Sequence, residues 1–183
     1  MVRRRRFARV HPGDEGGFTL IELLTALGML LIVVTALSSV LIAATKSEEE
    51  MNRRFGSQIN ARIALDKLRR EIHCASSVTG TATAITIVLG NRCPVEGGAT
   101  ASWCTSGSGT QWALYRKGGV TCDASGRKLA DYLTTGNVFT IPAPATGTLT
   151  TLSVYLPVNA KPASGLPDYR LSDDIVLRNS PRI

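Results

Sequence analysis

Four cysteines, Cys74, Cys93, Cys104 and Cys122, are the most reactive side chains in this 183-residue sequence. None forms a C-x-x-C pair, so a zinc site or a thioredoxin-like dithiol is a poor fit to their spacing. Asp173 and Asp174 are neighbours, and in a strand they would point to opposite faces, unable to act together on one substrate. A calcium site drawn from Asp168, Asp173 or Asp174 is the weaker reading of these carboxylates. His11 and His73 are single imidazoles, and the Glu48–Glu50 run has no neighbouring histidine and reads as a solvated helix segment. No catalytic constellation, metal cluster or cofactor motif emerges, so the chain reads as a non-enzyme without a cofactor. Glu22 is the remaining candidate, because it interrupts an otherwise uncharged apolar run. An ionisable group is costly in lipid and is a functional residue by default.

The length suits one domain and an anchor. Hydrophobic residues make up 44% and charged residues 19%, which excludes both a disordered tail and a polytopic membrane protein. Of the net charge of +7, the first 17 residues contribute +3, from Arg3, Arg4, Arg5, Arg6 and Arg9 against Asp14 and Glu15. The rest is scattered, which argues against a dedicated nucleic-acid surface and for a charge tag at the N-terminus.

Leu23 to Ala44 is 22 residues without a charge, and Phe18 to Ala44 is 27 residues interrupted only by Glu22. At about 1.5 Å per residue a helix of that length spans roughly 40 Å, enough to cross a hydrocarbon core of about 30 Å. The arginines precede this run and Glu48–Glu50 follow it, so the N-terminus is expected on the cytoplasmic side. A secretory signal peptide has a shorter apolar region and a small-residue cleavage site, which Ile42-Ala43-Ala44-Thr45 does not supply. A twin-arginine signal at Arg5-Arg6-Phe7 is separated from the apolar region by acidic residues and glycines. A plain single-span anchor leaves Glu22 and Gly16-Gly17 unexplained.

The segment Gly16-Gly17-Phe18-Thr19-Leu20-Ile21-Glu22-Leu23-Leu24 resembles the processing site of type IV prepilins and pseudopilins. That family has a short basic leader ending in Gly, then Phe or Met, a Glu at the fifth position of the processed chain, and an apolar run. The resemblance covers about residues 1–75. It implies a leader, 1–17, removed after Gly17 by a membrane prepilin peptidase, N-methylation of Phe18, and a role for Glu22 in assembly. The implied partners are the peptidase, other pilins or pseudopilins, an inner-membrane assembly platform and membrane lipid. The implied location is the bacterial cytoplasmic membrane, single-pass with the head outside, and then a pilus or pseudopilus. The residue types agree with this: glycine lets the backbone lie close to a protease's carboxylates, and a carboxylate is favoured in the first turn of a helix.

Residues 18–45 thus form a transmembrane and assembly helix, and residues 46–77 read as its amphipathic continuation. Ala61, Ala64, Leu65, Leu68, Ile72 and Ala75 share one stripe about 100° wide, with Arg62, Asp66, Lys67, Arg69, Arg70 and Glu71 off it. Phe55, Ile59 and Ile63 form a second, weaker row that points elsewhere. Residues 78–183 read as a β-rich head, with strands at 83–89, 112–117, 138–141, 149–156 and 174–178 and a Gly/Ser/Thr-rich insert between the first two. Pro142 to Pro144 and the loop around Pro157, Pro162 and Pro167 break the series. One long helix packed on an antiparallel sheet is α+β. That order is also similar to pilin-like proteins, and the segments Ala61–Ile72 and Asp173–Asn179 are most like W-type minor pilins or J-type pseudopilins.

All four cysteines follow the apolar run, so an extracytoplasmic head permits two disulfides. If strands 83–89 and 112–117 pair as a hairpin, Cys93 and Cys104 lie at its tip, and Cys122 returns toward Cys74. The expected pairs are therefore Cys93–Cys104 and Cys74–Cys122. A filament-displayed adhesin or DNA-binding subunit, and an ordinary single-span protein with a β head, are the alternative readings.

Overall fold

The computed structural model describes residues 17–90, 93, 98–143 and 148–179. Within them one helix, α1 (Leu20–Cys74), precedes eight strands. These are β1 (Ala75–Gly80), β2 (Ala84–Leu89), β3 (Thr100–Ser108), β4 (Gln111–Gly118), β5 (Arg127–Leu133), β6 (Phe139–Thr140), β7 (Thr151–Val158) and β8 (Tyr169–Val176). The strands form one antiparallel sheet in the order β1-β2-β3-β4-β5-β7-β6, with β8 on β7. The class is α+β, one long helix and an antiparallel sheet. Contacts divide the chain into a unit ending at Glu48 and a unit beginning at Glu49. In the first, an 18-residue stretch of α1 has a mean hydropathy of 2.5 and is wholly unburied, so by length and composition it can cross a membrane.

In the second unit the apolar stripe of α1 lies in the core. Ala61, Ala64, Leu65, Leu68 and Ile72 are buried with Ile85 and Ile87 of β2, Trp103 of β3, Leu114 of β4 and Leu152, Val154 and Leu156 of β7. Phe55, Ile59 and Ile63 stay exposed, as a row on another face of the helix must. The margin of the stripe nearer that row is tied to β8: Arg62 Nε donates to the Tyr169 hydroxyl at 2.8 Å, and Arg69 Nε donates to Asp173 Oδ2 at 2.8 Å. Glu71 departs from the expected position off the stripe. It is buried, and its carboxylate accepts from Trp103 Nε1 at 2.8 Å and from Arg116 Nε at 2.7 Å. Its place only three residues beyond Leu68 and seven beyond Ala64 puts it at the margin of the buried face.

The helix stops at Cys74, short of residue 77, because Ala75 already pairs with Leu89 as the first residue of β1. Its last carbonyl, that of Cys74, accepts from the Asn179 side-chain amide at 3.2 Å. Gly80 permits the turn into β2: at φ 149°, an added Cβ would lie 2.2 Å from the Ala84 carbonyl oxygen. The segment read as a loop-like insert contains β3, which pairs with β2 and β4 and keeps them from forming the expected hairpin. It lacks alternation because Ala101, Ser102, Trp103 and Cys104 are all buried, with the core on one face and residues 119–122 on the other. β5 was equally hidden in the sequence. Register shifts against β4 put its buried Ala130 and Leu133 three apart, and Tyr132 adopts φ 58° there. Pro157 lies within β7, opposite Arg170, and β8 begins at Tyr169, five residues before the expected start.

The disulfides are Cys74–Cys93 and Cys104–Cys122, not Cys93–Cys104 and Cys74–Cys122. Two unforeseen strands explain the correction. β1 folds straight back from the helix end, so β2 returns beside Cys74 and delivers Cys93 to it. β3 places Cys104 in mid-sheet on the outer face, where the β4–β5 connection brings Cys122 across it.

That connection is organised by Asp123. Its carboxylate accepts from the Ser125 hydroxyl, from Lys117 Nζ at 2.9 Å and from the Ser125 backbone N–H at 2.8 Å. These donors, the Ser125 hydroxyl foremost and then Lys117, hold its pKa down at about 2 against an ordinary 3.8. Because the folded value is the lower one, this contribution to stability is present above 3.8 and is lost as pH falls toward about 2. Carboxyl-carbon NMR titration should find Asp123 titrating below the other aspartates, and Lys117→Met should raise its midpoint. A midpoint at the ordinary value in the unsubstituted protein would show that these bonds do not persist in solution.

Candidate functional site

Gly17, Phe18 and Thr19 precede the helix without secondary structure, and α1 begins at Leu20. Arg3, Arg4, Arg5, Arg6, Arg9, His11, Asp14, Glu15 and Gly16, in the segment read as a leader, lie outside the described residues. A Cβ built on Gly17 meets nothing within 4 Å. The described residues therefore place no steric demand for glycine there. Phe18 is 84% exposed.

Glu22 closes a capping box with Thr19. The Thr19 backbone N–H donates to Glu22 Oε2 at 3.3 Å and its hydroxyl donates to the same oxygen at 3.2 Å, while the Glu22 N–H donates back to Thr19 Oγ1 at 3.3 Å. Reciprocal bonds of this kind satisfy amides that the first helical turn leaves unpaired. Thr19 was not singled out in the sequence, although Thr three residues before Glu is the spacing that signals such a box. The box fixes the helix start three residues after Gly17 and holds the Glu22 carboxylate toward the chain's N-terminal side.

The other candidate groups are dispersed. Asp173 and Asp174 do point oppositely, Asp173 to Arg69 and Asp174 outward. Asp168 accepts from the Thr134 hydroxyl at 2.7 Å and from Asn159 Nδ2 at 3.1 Å. His73 Nδ1 lies 3.2 Å from the Val176 carbonyl oxygen. Glu49 pairs with Arg53, and Glu50 pairs with both Arg54 and Lys161. The Glu50 pKa is lowered first by Lys161 and then by Arg54. Among the described residues no three His, Cys, Asp or Glu side chains come together in a metal-holding group. All four cysteines are joined in the two disulfides.

A cleft of about 220 Å³ lies between Arg54–Gln58 of α1 and the β7–β8 connection. Much of its polar lining is committed internally: Asn159 bonds to Leu166 and Lys161 as well as Asp168, and Arg54 to Glu50 and Ser164. Comparison with known proteins finds no match among family models, curated proteins or solved structures.

Proposed function

We propose that this chain is a minor pilin or pseudopilin, a non-enzymatic subunit of a type IV pilus, type II secretion or competence-like filament. The observation that carries this reading is the compound segment Gly17-Phe18-Thr19-Leu20-Ile21-Glu22, set at the start of a membrane-length apolar helix. A prepilin peptidase cuts after Gly17 and Phe18 is N-methylated. The helix anchors the subunit in the cytoplasmic membrane with the head outside, and the assembly platform then draws it into a bundle of like helices. Two disulfides in the head are consistent with an oxidising compartment.

Removing the leader turns Phe18 into a cationic N-terminus with a reference pKa near 8. Glu22 lies one turn away, and its carboxylate partly neutralises that amine or the amine of an adjacent subunit. Either contact offsets the cost of an acid in lipid. An intersubunit pair also sets axial register, because apolar helix faces alone slide easily.

N-terminal sequencing and intact mass of the protein from a membrane fraction test this reading. The expected chain begins at a methylated Phe18. A chain beginning near Thr45 would mean ordinary signal peptidase, and an intact Met1 would mean a plain single-span protein; either result removes the filament assignment.

A further inference from the structure

The connection from β7 to β8 is well bonded to itself and thinly bonded to the helix it faces. Asn159 Nδ2 donates to the Leu166 carbonyl at 3.0 Å, and the Lys161 N–H donates to Asn159 Oδ1 at 2.9 Å. The Ser164 N–H and hydroxyl both donate to the Lys161 carbonyl, at 3.0 and 2.7 Å. Its two ends are moored at the end of β5: the Asn159 N–H donates to the Tyr132 carbonyl at 2.9 Å, and Asp168 accepts from the Thr134 hydroxyl. Between those ends no residue from 160 to 167 is buried, so no apolar side chain roots the segment in the core. Among the described residues, 160–167 make two side-chain bonds to α1. Lys161 Nζ donates to Glu50 Oε2 at 3.2 Å, and Arg54 Nη2 donates to Ser164 Oγ at 3.4 Å. Glu50 also pairs with Arg54, so one carboxylate organises both contacts. Beside them lies the cleft of about 220 Å³, whose helix wall includes Ser57, only 3% exposed.

We propose that residues 160–167 are a hinged strap, latched to α1 by the Glu50–Lys161 and Arg54–Ser164 contacts, which swings away as one piece and opens the cleft when Glu50 is neutralised or screened. Internal bonds keep the strap's shape, and the moorings at Asn159 and Asp168 act as its hinges. Segments without buried apolar contacts are those that open locally at low free energy. Exposed ion pairs are weak and salt-screened, which makes this latch releasable. Within four residues of Glu50 on α1 the charged groups are Lys46, Glu48, Glu49, Arg53 and Arg54, and Glu49 takes Arg53. From the strap Lys161 alone reaches Glu50. Lys161 foremost and then Arg54 hold the Glu50 carboxyl below its ordinary 4.5. Because the latched value is the lower one, the latch is complete above 4.5 and is lost as pH falls through that lowered value. The inference goes beyond the filament reading and stands without it, because it uses only contacts of the head.

The test uses the full chain in phosphatidylcholine nanodiscs and the rate at which N-ethylmaleimide labels Ser57→Cys. All four native cysteines are in disulfides, so the introduced thiol alone reacts. Glu50→Gln, which stands in for the protonated acid, and Lys161→Met should each speed labelling by about fivefold, the scale of one exposed pair, and together should add nothing further. Sodium chloride at about 1 M, where screening acts within about 3 Å, should speed labelling of the Glu50 form and leave the Glu50→Gln form unchanged. Labelling that Glu50→Gln leaves unchanged would overturn the proposal. So would equal acceleration at Ala64→Cys, a core position on the same helix, because that reports loosening of the whole head. Carboxyl-carbon titration of Glu50 in the unsubstituted protein is a second measurement that needs no introduced thiol. A midpoint below 4.5 that Lys161→Met raises is expected, and one already at 4.5 would overturn the latch. The N-terminus of the same sample is read separately by mass, so failure here is distinguishable from failure of the filament reading.

Discussion

Glu71→Ala should lower the unfolding free energy of the head by about 3–5 kcal/mol, the range for removing one partner of a buried ion pair. The loss is large because of what stays behind. Arg116 is 7% exposed and would lose its 2.7 Å carboxylate partner, and the Trp103 indole N–H would lose its acceptor. The buried indole N–H, left without that acceptor, suffers the full cost of its desolvation, and the guanidinium loses the carboxylate charge that offsets its burial. Glu71→Gln retains one acceptor and the shape, so it should lose less. Replacing the pair together, as Glu71→Met with Arg116→Leu, should be far milder than Glu71→Ala alone, since an apolar pair of similar volume carries no desolvation cost. Chemical denaturation of the full chain in micelles, followed by the fluorescence of Trp103 and Trp112 and by far-UV circular dichroism, measures all three. A Glu71→Ala loss below about 1 kcal/mol would mean that water reaches Arg116 and the pair is not sealed.

Glu22→Ala should leave insertion and cleavage intact and abolish entry into filaments. The capping box makes this more than a single substitution can decide, because Glu22→Ala also breaks the reciprocal bonds that close the helix start. Thr19→Ala separates the two roles: it removes the hydroxyl that bonds Glu22 at 3.2 and 3.3 Å but leaves the carboxylate in place. If Glu22 meets the amine of a neighbouring subunit, Thr19→Ala should still assemble and Glu22→Ala should not. Glu22→Asp should be intermediate, its shorter reach displacing the contact. Co-purification with sheared filaments, at matched membrane levels, gives the readout. Equal failure of Thr19→Ala and Glu22→Ala would reduce Glu22 to a capping residue, and equal success would remove it from assembly altogether.

What was legible in the sequence depended on periodicity. The stripe from Ala61 to Ile72 could be read because helical spacing is regular and each buried position has an exposed neighbour. β2 and β4 could be read for the same reason, at a period of two. β3 and β5 were illegible because each breaks that period for a tertiary reason. β3 is covered on both faces, and β5 carries extra residues against β4, so neither leaves the alternation that marks a half-buried strand. The cysteine pairing failed with them, since it rested on β2 and β4 being neighbours. Glu71 was misplaced because a charge at the margin of a stripe looks solvated until its partner is known, and Arg116 lies 45 residues away. Of the candidate assembly segment, Gly17, Phe18 and Glu22 were visible as residue types at fixed spacing, while the bond from Glu22 to Thr19 needed coordinates.

The disulfide pattern bears on how the head is made. Cys74 joins Cys93 and Cys104 joins Cys122, at separations of 19 and 18 residues. The first cysteine is thus bonded to the second and the third to the fourth. A polypeptide emerging from its N-terminus presents its thiols in that same order, so the first bond can close before Cys104 has appeared, and the second needs no exchange with the first. A crossed or nested pattern would oblige an early thiol to wait, exposed to wrong partners. Sequential pairing lets an oxidant act on the chain as it arrives, with no demand for an isomerase to correct the result.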